Sequence, residues 1–154
     1  FSFIEILIVL AILGIVSSMG VYAWQRFVAN NNLRTAARDL AADIALYRQR
    51  AVGENDTYTM TFDIANNKYK VEHTKDKDQD GASDPPDAEK STSVFGADIK
   101  LDTVGFFNAP SNKTTIQPRG LLDNGTIKMT NSRDSSAEIT VSSAGRTDLQ
   151  FTMQ

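Results

Sequence analysis

The sequence predicts an α+β fold in which one long N-terminal α-helix packs on an antiparallel β-sheet head. Three observations predict it. Residues 1–24 are apolar almost without interruption, residues 25–53 carry apolar side chains at three- and four-residue steps with no helix breaker between the two stretches, and from Tyr58 the apolar period falls to two. A helix-then-strands order of this kind belongs to the α+β class.

The first stretch, FSFIEILIVLAILGIVSSMGVYAW, has Glu5 as its only charge, and Arg26 is the next charged residue. At 1.5 Å per residue it makes a rod of about 36 Å, enough to cross a hydrocarbon layer of about 30 Å. A membrane span over residues 1–24 is the expectation. A carboxylate so near one end of a span is costly unless a cation meets it. An α-amino group at Phe1 lies about one turn away but points along the helix axis while Glu5 points sideways. The amine of an axially staggered second copy is therefore the better partner, and that geometry implies polymerisation.

Beyond Trp24 the helix becomes amphipathic. Leu33, Ala37, Leu40, Ile44, Tyr47 and Ala51 fall on one face, with Arg34, Arg38, Asp39, Asp43, Arg48 and Arg50 mostly elsewhere. Gly53 is the expected C-cap, with Arg48 and Arg50 suited to the negative end of the helix dipole. A helix from about Ser2 to Val52 would be the spine of a head spanning 25–154, with its sheet within 57–152.

Strands are expected as follows. Tyr58, Met60 and Phe62 alternate with Thr59, Thr61 and Asp63, then Ala65-Asn66-Asn67 turns the chain into Lys68–Glu72, which makes a hairpin with one buried face. Residues 74–90 read as a polar, Asp-rich loop. Short strands follow around Ser93–Phe95 and Ile99–Val104, and Thr114–Gln117 is stopped by Pro118. Two closing hairpins are expected, Leu121-Leu122 into Thr126–Thr130 and Glu138–Ser142 into Thr147–Phe151.

The opening Phe1-Ser2-Phe3-Ile4-Glu5-Ile6-Leu7-Ile8-Val9, continued by Ala11-Ile12-Leu13-Gly14-Ile15, closely resembles the mature N-terminus of type IV pilins and type II secretion pseudopilins. The resemblance implies a prepilin peptidase that exposes Phe1, N-methylation of Phe1, residence in the bacterial inner membrane, and extraction by an inner-membrane assembly platform into a periplasmic or extracellular helical filament. Phe1 and Glu5 are the assembly residues it implies. Many pilins have proline near position 22, where this chain has Tyr22; Gly14, Ser17, Ser18 and Gly20 nonetheless weaken the helix there. In the head, Ile116-Gln117-Pro118-Arg119-Gly120, Gly125–Met129, Ile139–Ser142 and Gly145-Arg146 are similar to the H-type pseudopilin (FimT-like) subfamily. Its members are often minor, tip-located subunits, some without the acidic residue at position 5, which this chain keeps.

Composition narrows the chemistry. A net charge of −3 and a pI near 5.1 give no electrostatic case for nucleic acid. With no cysteine there is no disulfide, thiolate metal site or Cys nucleophile. His73, the sole histidine, falls at the end of an expected strand with no second His or Cys in the chain, which gives a zinc site or a Ser-His-Asp arrangement little support, and no enzymatic activity is expected. The loop Asp76-Lys77-Asp78-Gln79-Asp80-Gly81-Ala82-Ser83-Asp84-Pro85-Pro86-Asp87 spaces oxygen ligands like a calcium-binding loop, with Asp76, Asp78, Asp80, the Ala82 carbonyl, Asp84 and Asp87 as the ligand set. Hard oxygen donors point to Ca²⁺ rather than zinc. Asp in place of Glu at the last position, and Pro85-Pro86, argue instead for an acidic loop held open by charge repulsion. The functional expectation is a structural subunit, a pilin or pseudopilin that polymerises with itself and related subunits through its helix; the alternative is a minor tip subunit that binds other pseudopilins or secreted cargo.

Overall fold

The computed structural model describes residues 2–74, 86–107 and 112–154, with the side chains of 18–23 outside the description. A single helix, α1 (Phe3–Glu54), runs without a break through both the apolar and the amphipathic stretches. At 1.5 Å per residue it is about 78 Å long. It continues past Gly53 and is capped by Asn55, which takes the left-handed conformation (φ 49°). Asparagine tolerates that conformation through its short polar side chain, so the expected glycine cap is corrected by two residues. Arg48 does not serve the helix end either: its Nε donates to the carbonyl of Gly120 at 2.9 Å.

Among the described residues eight strands follow: β1 (Tyr58–Asp63), β2 (Lys68–His73), β3 (Ala88–Ser91), β4 (Lys100–Phe106), β5 (Lys113–Ile116), β6 (Gly125–Thr130), β7 (Ser136–Val141) and β8 (Thr147–Thr152). They form two four-stranded antiparallel sheets, in the orders β3-β2-β1-β5 and β4-β6-β7-β8. The β1–β2 hairpin falls where its alternation predicts it, with Asn67 at φ 53° in the turn.

Three local expectations are corrected. Residues 88–91, of which 88–90 are expected to end a loop, form β3, which pairs with β2 from Lys68↔Ser91 to Val71↔Ala88 while its Lys90 reaches an acidic pair on the helix. Residues 92–94 form one 3-10 turn rather than a strand. Leu121-Leu122 is not the first arm of a hairpin: β6 pairs with β4 and β7. The β7–β8 hairpin is as expected.

One core joins helix and sheets. Leu33, Ala36, Ala37, Leu40, Ile44, Tyr47 and Ala51 of α1 are buried against Tyr58, Met60, Phe62, Tyr69 and Val71 of the first sheet and Ile127, Met129, Ala137, Ile139 and Val141 of the second. The helix positions lie three and four residues apart and so share one face. The amphipathic half of α1 is thus the shared wall of both sheets.

Candidate assembly surface

The helix divides sharply at the head. From Ala29 onward one face is buried, whereas the described large apolar side chains from Phe3 to Val16 are all exposed, Phe3 at 78% and Val16 at 62%. Trp24 and Phe27, with ring centroids 6.1 Å apart, are exposed apolar side chains at the base of the head. An apolar surface of this extent marks an interaction site, because isolated soluble domains rarely leave one open. Glu5 sits in the first turn of α1, where backbone N–H groups and the positive end of the dipole favour a carboxylate. Phe1 lies outside the described residues. Among the described residues no helix is long and apolar enough to cross a membrane; the span expected over 1–24 includes Phe1 and the side chains of 18–23, which lie outside that set.

The head is clamped to α1 by polar contacts that hydrophobic periodicity does not reveal. Asp43, 7% exposed, accepts a hydrogen bond from the Tyr69 hydroxyl at 2.6 Å and an ion pair from Lys90 at 2.8 Å, while Lys90 also reaches Asp39 at 3.0 Å. Burial, and then the hydrogen bond to Asp43, push the Tyr69 hydroxyl well above its usual range. Burial opposes the charge on Lys90, but its hydrogen bonds to Asp43 and Asp39 outweigh this and hold its pKa raised. At the base of the head Asn30 accepts from Asn131 and Ser135, fixing the β6–β7 turn to the helix. At the far end Arg48 threads past Gly120 and Gly145, both at φ 74°; a Cβ at Gly145 would come within 2.3 Å of Arg48 Nε. The signal for the Asp43 clamp was present in the sequence as an acid on the apolar edge of the helix, but its partners lie 26 and 47 residues away.

Of the six calcium positions, Asp76, Asp78, Asp80, Ala82 and Asp84 lie outside the described residues. Asp87 is described, and its Oδ2 lies 2.5 Å from Nδ1 of His73, both side chains being largely buried. His73 therefore has a structural partner, and its ring packs 6.2 Å from that of Tyr58. Burial, and then a hydrogen bond to Glu54, raise the Tyr58 hydroxyl in turn. Among the described residues no group of three or more His, Cys, Asp or Glu is placed to hold a metal ion.

The fold has solved counterparts. The chain is similar to the minor pseudopilin EpsH from the type 2 secretion system of Vibrio cholerae, with a TM-score of 0.60 at 12% identity over 77% of this chain and 96% of that one. It is also similar to the type IV minor pilin FimU of Pseudomonas aeruginosa, with a TM-score of 0.59 at 19% identity over 80% and 92%. At such identities the likeness is one of fold. No curated protein matches the chain. Residues 36–145, which hold most of the core-facing part of the helix, the whole first sheet and three of the four strands of the second, match the family described as Type II transport protein GspH. Proteins of this family are structural and non-enzymatic. The long helix laid across two antiparallel sheets, together with a family match over well over half its length, places this chain in the GspH family of pseudopilins and minor pilins.

Proposed function

We propose that this chain is a structural filament subunit, held in the bacterial inner membrane through its N-terminal helix and then polymerised through that helix into a type II secretion pseudopilus or a type IV pilus-like filament. The carrying observation is the division of α1, buried on one face from Ala29 onward and exposed through its apolar positions from Phe3 to Val16. Bundling with the helices of other subunits would cover that surface. Glu5 would then enter an apolar bundle, where a lone carboxylate is strongly disfavoured unless a cation meets it. The Phe1 α-amino group of a neighbouring copy is the proposed cation, supplied after a prepilin peptidase and the assembly platform have acted. Glu5→Ala tests the pairing: the variant should fold and reach the membrane but enter filaments poorly, and normal filament yield and length would refute it.

The minor-subunit reading is favoured by the similar structures, which are described as a minor pseudopilin and a minor pilin. Labelling of purified filaments separates the two, since a body subunit decorates the whole length and a tip subunit one end. The loop 76–87 is the proposed calcium site. Asp87 shares its carboxylate with His73, so an ion bound there would be held jointly with that contact. Such an ion would neutralise clustered carboxylates and stabilise the head by mass action.

A further inference from the structure

Among the described residues four strand edges border the two sheets, and three of them are blunted. β5 has only four residues, and the Thr115 N–H donates to Asp123 Oδ2 at 3.0 Å. β4 carries a bulge between Leu101 and Thr103, and the Leu101 N–H donates to Asn67 Oδ1 at 3.0 Å. β3 is four residues long, with Glu89 and Lys90 at its centre. Short length, bulges and charges are the usual means of keeping an edge from pairing.

β8 is neither short nor bulged, and its one charged residue is the acidic Asp148 rather than a lysine. It runs six residues, Thr-Asp-Leu-Gln-Phe-Thr, in unbroken register with β7 and without proline, glycine or lysine. Its hydrogen-bonding direction follows from two turn bonds. Ser142 N–H donates to the Arg146 carbonyl, and Asn131 N–H donates to the Ser135 carbonyl. Since bonded pairs alternate along an antiparallel ladder, Ser136, Glu138 and Thr140 bond to β8, and Ala137, Ile139 and Val141 bond to β6. Asp148, Gln150 and Thr152 are therefore turned to β7, while the N–H and C=O groups of Thr147, Leu149 and Phe151 face outward. Among the described residues nothing in the chain bonds to those outward groups.

The side chains beside this edge are equally distinct. Leu149 and Phe151 are partly buried against the core, and the Arg34 guanidinium lies 6.0 Å from the Phe151 ring centroid. On the opposite face Asp148 and Glu138 are exposed, next to Gln150 and Thr152.

We propose that the outer edge of β8 is a docking site for an extended segment of another polypeptide, added as a fifth strand, that alternates apolar residues with basic ones. The backbone row selects an extended peptide because only that chemistry matches alternating N–H and C=O groups at strand spacing. Its apolar residues would continue the Leu149–Phe151 side, and its basic residues would meet Asp148 and Glu138. This site is separate from the helix surface and stands whether or not the chain polymerises.

The test uses the full chain in detergent micelles and a labelled synthetic peptide alternating lysine and valine, with a lysine–serine peptide as control. The lysine–valine peptide should bind and slow amide exchange at Leu149 and Phe151 by about tenfold or more, while the control should not bind. Leu149→Pro and Thr147→Pro each delete one outward N–H without touching a bond to β7, so each should weaken binding by about tenfold or more, an amount equal to about 1.4 kcal/mol. Asp148→Lys should also weaken it, and Thr115→Pro, on a blunted edge, should not. Equal binding by wild type and Thr147→Pro, or no binding by wild type, overturns the proposal. Protection of the same amides that rises with protein concentration in the absence of peptide assigns the edge to a second copy and overturns it as well.

Discussion

Replacing Asp43 by alanine isolates the polar clamp that fastens the head to its helix. In the native chain its carboxylate receives the Tyr69 hydroxyl at 2.6 Å and Lys90 at 2.8 Å. Tyr69 is only 2% exposed, so its hydroxyl would lose its acceptor with no water to replace it, a loss of about 1–3 kcal/mol. Lys90 is 39% exposed and keeps Asp39, so its share is screened to below about 1 kcal/mol. The expected total is about 2–3 kcal/mol, or a fall of about 5–10 °C in Tm for a chain of this size. Tyr69→Phe removes the donor and leaves Asp43 paired with Lys90, at a cost of about 1 kcal/mol. Because the double variant has no orphaned hydroxyl, it should be more stable than the sum of the single changes predicts, by about 1–2 kcal/mol. Denaturant unfolding of the four proteins in detergent measures this. Additivity to within about 0.5 kcal/mol would refute the clamp.

Alkaline pH should loosen the head. Tyr58, Tyr69 and Lys90 hold their protons more tightly folded than unfolded, so the stability they contribute is complete below about pH 10 and is lost as the pH rises through their folded values; a Tm that stays level from neutral pH to well above 10 would contradict this. Gly145→Ala forces a side chain into φ 74° and against Arg48, and should cost about 1–3 kcal/mol, read by chemical unfolding. Deleting residues 1–24 keeps Leu33, Leu40, Ile44 and Tyr47 and should give a soluble, cooperatively folding head, whereas deletion through Val52 should not fold. Millimolar Ca²⁺ should release or absorb binding heat and raise the unfolding temperature, and Asp78→Asn should reduce both; a titration without heat or thermal shift leaves the acidic-loop reading of 76–87.

Periodicity made the helix and the β1–β2 and β7–β8 hairpins readable, because each buries one face and its apolar spacing records which. What it could not show was pairing set by partners far apart in sequence. β3 lies along β2 about twenty residues away and sends Lys90 to Asp39 and Asp43 about fifty residues away, so a four-residue polar strand looked like loop. Leu121-Leu122 suggested a strand arm, but Leu122 is buried as a core plug and its N–H bonds to the Ser143 carbonyl in a turn. Asn55 displaced Gly53 as the cap because the core-facing rhythm ends at Ala51 and the chain could afford one further half-turn before β1. At the assembly surface Glu5 and the apolar run were legible from the first nine residues. The free edge of β8 was not, since it depends on which strands border it.

Site-specific cross-linking along the exposed helix tests most directly whether the chain assembles through α1. The sequence has no cysteine, so introduced cysteines report only contacts between copies or with cysteine-bearing partners introduced alongside. Because neighbouring copies are staggered along the axis, the cysteines are placed in pairs about one turn apart, at Ile4 with Ile8, Ile8 with Ile12 and Ile12 with Val16; in cells making filaments, oxidation should trap dimers and ladders, and Glu5→Ala should remove both. Uncross-linked monomer for every pair, in a chain that remains folded and membrane-associated, would contradict assembly through the helix.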